Sequence, residues 1–252
     1  MPLKIVPDIY MVGSGQIRLS NRMDSHVYLI DGGDELALID AGVGVESECI
    51  LENVRKEGFD LKRLRSVLVT HSHPDHAGGC RDIQARTGCS IIAPEHEDKI
   101  LEGMIDIEES VNICKKTGIY PPDYIFPRCK VDRVVGHGQK IPVGRYEVTA
   151  ITVPGHSKGS TCYLLKQEDC RILFSSDVVF FGGTIGLGNW PGSNLDDYRR
   201  SIGRLADLRI DALLPGHFLW TLKGGQEHLD KAIQNLKLAW VPPAWSHQHS
   251  LF

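Results

Sequence analysis

Short apolar runs, each closed by Gly, Pro or Asp, recur along the chain and set its rhythm. His26-Val-Tyr-Leu-Ile-Asp31 and Glu35-Leu-Ala-Leu-Ile-Asp40 are separated by Gly32-Gly33-Asp34, which predicts a β-hairpin. Helical spacing follows over 46–57, a buried strand over 65–70, a helix over 80–87 and a short strand over 90–93. Strand, loop, helix and strand in succession predict a layered α/β fold. Residues 94–134 interrupt that order. Ile100, Leu101, Met104, Ile107 and Val111 carry helical spacing within 95–117, and the aromatic, Pro-stiffened run Tyr120-Pro-Pro-Asp-Tyr-Ile-Phe-Pro127 follows. This segment reads as a helical lid insertion over a substrate pocket, with Tyr124 and Phe126 as substrate-binding candidates. Strands resume over 146–153, 161–165 and 171–175. An amphipathic helix is expected over 195–208, a short strand over 211–217 and a last helix over 227–238. The aromatic tail 239–252 is expected to pack on the body, and its His247 and His249 are weak metal candidates. The whole chain, 1–252, reads as a single domain.

Chemistry concentrates where these runs end. Thr70-His71-Ser72-His73-Pro74-Asp75-His76-Ala77-Gly78-Gly79 places three imidazoles and a carboxylate at the exit of a strand. Alternate residues of an extended segment project to one side, so His71 and His73 can face a common ion. Pro74 disfavours helix at His73 and keeps that pair extended. Asp75 and His76 follow after the turn and can point at a second position. Gly78 and Gly79 let the backbone pass close to whatever is bound. Three more strand exits repeat the design: His156 after Pro154-Gly155, Asp177 after Ser175-Ser176, and His217 after Pro215-Gly216. If those strand ends converge, seven ligand-type residues meet, too many for one tetrahedral zinc and suited to two metals with a bridging carboxylate. Imidazoles and carboxylates without thiolate suit zinc, manganese or iron. Asp40, in the turn Asp40-Ala-Gly-Val-Gly44, either accepts a hydrogen bond from a ligand imidazole or caps the next helix.

Composition narrows the partners. A net charge of −4 with both signs interspersed offers no basic block for nucleic acid. No apolar stretch is long enough to span a bilayer. The N-terminus lacks the apolar centre of a signal peptide. Seven cysteines, odd in number and without a CxxC, read as reduced thiols and place the protein in a cytoplasm. Cys80 reads as a small buried residue of the following helix. A homo-oligomer is left open.

The ordered set His-x-His-x-Asp-His, Gly-His, Asp after a strand, and a late Gly-His resembles the metallo-β-lactamase superfamily over about residues 20–230. That resemblance implies a four-layer αβ/βα sandwich with the site along one edge. It implies that His71, His73 and His156 hold a first metal, Asp75, His76 and His217 a second, and that Asp177 bridges them. Two divalent ions are implied, zinc first, with iron or manganese as alternatives. Asp at position 177 is similar to the glyoxalase II and lactonase branch of hydrolases. The activity implied is cleavage of an ester, thioester or lactone by a metal-bridged hydroxide, with Asp75 as the catalytic residue that orients it. Glyoxalase II carries a basic C-terminal helical domain for glutathione; this chain follows His217 with an aromatic stretch, one helix and a short tail. With segment 94–134 and with Trp190 beside Gly182-Gly-Thr-Ile-Gly186 as a further substrate-binding candidate, this favours a small-molecule acyl substrate of some apolar character. Two alternatives stand beside it: an oxidoreductase similar to the mononuclear-iron persulfide dioxygenases, and a non-enzymatic metal-binding protein.

Overall fold

The computed structural model describes residues 2–244, so Trp245, His247 and His249 of the tail lie outside the described residues. The chain forms two compact units, Met1–Val135 with Pro142–Arg145, and Gly136–Ile141 with Tyr146–Phe252. Each carries one sheet, and the fold is mixed α/β as expected.

The first unit holds β1 (Leu3–Val6), β2 (Ile9–Gly13), β3 (Val27–Asp31), β4 (Leu36–Ile39), β5 (Leu64–Leu68), β6 (Ser90–Pro94) and β7 (Arg133–Val135), hydrogen-bonded in that order. The strands up to β4 are antiparallel, and β4 to β7 run parallel. Parallel strands release their chain at the same edge, where open α/β sheets bind ligands. Asp40 leaves β4 there, the Thr70–His76 motif leaves β5, and Glu97 follows β6. The hairpin β1–β2 was not expected. Its strands are short, and their turn passes through Asp8 at φ +66°, yet Ile9, Met11 and Val12 are fully buried.

α1 (Ser47–Lys56) buries Ile50, Leu51 and Val54, and its buried Asn53 donates to the carbonyls of Val12 and Leu19. α2 (Pro74–Ala77) is a single turn begun by Pro74, a residue suited to the first helical position, and α3 (Cys80–Thr87) follows it. Cys80 is fully buried in the core of this unit, and all seven thiols are free. The helix expected over 95–117 is two: α4 (Glu97–Leu101) and α5 (Glu108–Lys116). Gly103, at φ +81°, turns the chain out of the first one, and the Met104 amide closes the turn on Lys99 O at 2.8 Å. A left-handed glycine is a common helix stop, so the apolar spacing across it did not reflect one rod. Leu101, Val111, Tyr120, Tyr124, Phe126 and Cys129 of this segment belong to the unit's core, whereas Met104, Ile105, Ile119 and Ile125 are exposed.

The other sheet runs β12-β11-β10-β9-β8, built from β8 (Lys140–Val143), β9 (Tyr146–Thr152), β10 (Thr161–Lys166), β11 (Arg171–Ser176) and β12 (Ala212–Pro215); all of it belongs to the second unit except Pro142 and Val143 of β8. β10 is antiparallel to both β9 and β11, and β11 is parallel to β12. β9, β11 and β12 therefore point the same way. His156, Asp177 and His217 leave one edge of this sheet. α6 (Leu195–Ser201) is capped by the Asn194 side chain and tightens into a 3₁₀ turn over Ile202–Leu205, within the helix expected over 195–208. α7 (Gly225–Leu236) closes the unit. No helix among the described residues is long and apolar enough to cross a membrane.

Candidate metal centre

In the first unit the motif's donors are held from behind. Asp40, buried and at φ +64°, accepts from the Thr70 amide through Oδ1 and from Thr70 Oγ1 and His76 Nδ1 through Oδ2, each at 2.8 Å. Of its two expected roles it takes the first, acceptor for an imidazole of the motif, His76. Burial pushes the Asp40 carboxyl up, and its bonds to His76 and Thr70 pull against that. Thr70 gives its own proton to Asp40, so its oxygen accepts from His71 Nδ1, 3.1 Å away. One carboxylate thus sets the tautomer of two imidazoles, directly for His76 and through Thr70 for His71. In both rings the Nε2 lone pair is turned outward, the arrangement that metal-binding histidines need.

The outward atoms converge. His71 Nε2 lies 3.0 Å from His73 Nδ1, and Asp75 Oδ2 lies 3.6 Å from His76 Nε2. The ligand atoms of His71 and His76 fall within 4.8 Å of each other. Ser72, between the two histidines, is fixed by Glu97: the Ser72 amide donates to Glu97 Oε2 at 2.9 Å and the Ser72 hydroxyl donates to the same oxygen. Glu97 is fully buried, and nothing local in the sequence marked it. Its only signal was position, just beyond a third parallel strand. Tyr120 is a second unanticipated neighbour, its hydroxyl donating to Asp75 Oδ1 at 2.9 Å. Gly78 and Gly79 also fix how the motif is seated. A Cβ at Gly78 would stand 2.2 Å from Val43 O, and one at Gly79 2.0 Å from Ala41 O, so they let the motif seat against the Asp40 turn.

In the second unit His156 Nδ1 lies 2.5 Å from Gly186 O and donates to it, which puts the ring's lone pair on Nε2. His156 Nε2 and His217 Nε2 each stand 3.6 Å from the same oxygen, Asp177 Oδ2. That is beyond hydrogen-bond length. It is close to the ~3.3 Å that two ligands subtend around a tetrahedral ion bonded at ~2.0–2.1 Å. Gly186 is required here, since a Cβ would come within 2.0 Å of Asp177 O and 2.7 Å of His156 Nδ1. Trp190 donates through Nε1 to His156 O at 3.1 Å and sets its ring edge-on to the imidazole. Tyr198 donates to the carbonyls of Asp177 and Val178. Ser157 and Ser160 bond each other at 2.6 Å in the turn after β9.

Each unit therefore brings its own predicted donors together: His71, His73, Asp75 and His76 in the first, His156, Asp177 and His217 in the second. The donor set is all imidazole and carboxylate, with the rings of His71, His76 and His156 oriented by acceptors behind them, and it fits divalent ions such as zinc, iron or manganese.

These features define a class. The sequence pattern of the Metallo-beta-lactamase superfamily matches residues 21–217, and the chain belongs to that superfamily. An acyl-coenzyme A thioesterase MBLAC2 from Gallus gallus is 30% identical over 210 residues, 77% of this chain and 72% of that one. A hydroxyacylglutathione hydrolase from Rhizobium meliloti (strain 1021) is 28% identical over 173 residues, 68% of this chain and 54% of the relative. Among solved structures, BJP-1, a subclass B3 metallo-beta-lactamase of Bradyrhizobium japonicum, superposes with a TM-score of 0.71 at 27% identity, covering 92% of this chain and 89% of its own.

Proposed function

We propose that this protein is a metal-dependent hydrolase of acyl thioesters, and that His71, His73, Asp75, His76, His156, Asp177 and His217 together hold a pair of divalent ions. The observation that carries the reading is the fixed tautomer of His71, His76 and His156, each ring turned by an acceptor behind it so that Nε2 presents a lone pair. Histidines kept for packing alone have no need of that arrangement. Such a pair of ions, when bound, supplies a water nucleophile at neutral pH and positive charge for the developing oxyanion. Asp177 is assigned to both ions, His71, His73 and His156 to one, and Asp75, His76 and His217 to the other. Asp75 is further assigned to orient the attacking water through Oδ2.

The thioester preference is supported by the relatives, an acyl-coenzyme A thioesterase and a hydroxyacylglutathione hydrolase. Chemistry supports it as well. A thiolate, with a conjugate-acid pKa of about 8.5, leaves without a proton donor, whereas an alkoxide leaves poorly without one. The acyl group is assigned to the side of segment 94–134, which exposes Met104, Ile105, Ile119 and Ile125. Tyr124 and Phe126 are buried, so their proposed influence on substrate choice is through the shape of that segment. Trp190 is proposed to act on the acyl group from beside His156. A cytoplasmic setting with reduced thiols and a single catalytic domain completes the proposal.

Elemental analysis of the purified protein, followed by thiol-release assays on acyl thioesters beside esters and lactones, tests it. Two equivalents of divalent ion and preferential thioester turnover are expected. One iron with oxygen uptake on a persulfide, or full metal loading without any hydrolysis, would overturn it.

A further inference from the structure

Asp75 has two chemically equal oxygens, and its terminal torsion is a broad, roughly two-fold rotor. Something must choose which oxygen faces the donors. Oδ2 is the one 3.6 Å from His76 Nε2, while Oδ1 takes the Tyr120 hydroxyl at 2.9 Å. Tyr120 comes from the inserted segment, 45 residues away in sequence. It is itself fixed: its ring stacks on Tyr124 with centroids 5.1 Å apart, and the Tyr124 hydroxyl donates to Val43 O at 2.8 Å in the turn that follows Asp40. The backbone of Asp75 is held independently by the Ser25 amide, at 3.1 Å from its carbonyl.

We infer that Tyr120 is a positioning residue for the metal centre: by occupying Asp75 Oδ1 it commits Oδ2 to the ion and to the attacking water. The inserted segment then has two tasks, one toward substrate and one toward the ligand set. This assignment rests on the metal-dependent reading above, and it concerns how tightly the ion of Asp75, His76 and His217 is held.

The test compares Tyr120→Phe with Tyr124→Phe. The first deletes the hydroxyl on Asp75 and keeps the stacked ring; the second deletes the bond to Val43 O and leaves Asp75's partner in place. Zinc affinity of the two sites is read by competition with a chromophoric chelator, and the cobalt-substituted protein reports ligand geometry through its visible spectrum. Tyr120→Phe is expected to weaken the second zinc by about 10–100-fold, the usual effect of removing a partner behind a metal ligand. Its cobalt spectrum shifts, kcat falls and KM holds, while Tyr124→Phe keeps the parental zinc affinity. Equal zinc affinity in parent and Tyr120→Phe overturns the assignment and leaves the hydrolase reading standing. Equal weakening in both variants also overturns it, since packing of the segment then suffices. A parent that binds no divalent ion removes both.

Discussion

In the first unit the imidazoles of His71 and His76 are oriented by a buried side-chain carboxylate, whereas in the second His156 is oriented by a backbone carbonyl. His71 is 1% and His76 0% exposed, and both trace to one buried carboxylate, Asp40. In the second unit His156 is 2% exposed, and it takes its tautomer from a backbone carbonyl, Gly186 O. The difference teaches that ligand geometry can be secured by two routes with unequal consequences for folding. Where a side-chain carboxylate sets the rings, the site and the core share members. Where the backbone does so, side chains can change and the sheet remains.

The largest expected effect lies on the second side. Asp177→Ala should lower turnover by on the order of 10³-fold, the scale of several kcal/mol of lost electrostatic stabilisation. Its metal content should fall, while metal-stripped parent and variant unfold at nearly the same urea concentration. A large drop in metal-free stability would erase the contrast between the units.

Asp40→Ala should do the reverse. It strands the Thr70 amide, the Thr70 hydroxyl and His76 Nδ1 in the interior, so metal-stripped protein should lose about 3–5 kcal/mol in urea unfolding. A loss under 1 kcal/mol would detach Asp40 from the core.

Asp24 sharpens the same contrast through pH. Burial pushes its carboxyl from the ordinary 3.8 up to about 6, opposed by bonds from Ser20, Val43 and Asn21. A raised carboxyl favours folding while it is neutral. Its contribution is complete below about pH 4 and is lost as the pH climbs through 6, a span worth about 3 kcal/mol. Urea midpoints at pH 4 and pH 6.5 should show this decline in the parent and not in Asp24→Asn.

The smallest effect is expected from Ser72→Ala. It removes one hydroxyl from Glu97 but leaves the Ser72 amide bonded there, at a cost of about 1 kcal/mol in stability. Ser72→Pro, which removes the amide donor as well, should cost more if Glu97 truly fixes the loop.

What could be read from the sequence was whatever is encoded by neighbours in the chain. His71, His73, Asp75 and His76 stand together, and His156, Asp177 and His217 each close an apolar run beside Gly or Ser. The strands carrying them were visible for the same reason. Asp40 was visible as a candidate, but its choice between two roles depended on where His76 and Thr70 would fold. Glu97 and Tyr120 were not visible, because they meet Ser72 and Asp75 across 25 and 45 residues. The break at Gly103 was hidden by apolar spacing that continued on both sides of it. The hairpin β1–β2 was missed because its strands of 4 and 5 residues are too short to show a period.

The crossing of the chain between the units has a consequence for synthesis. The first unit ends at Val135 and resumes only for Pro142–Arg145, whose Arg145 amide bonds Gly32 O at 2.9 Å and whose Gly144 amide bonds Glu35 at 3.2 Å. A nascent chain halted at residue 135 has every strand of the larger sheet but not the piece that closes over the hairpin tip between β3 and β4. The amino-terminal unit therefore becomes complete only after the ribosome has begun its successor, and a gene cut at that boundary would encode the first unit without Pro142–Arg145.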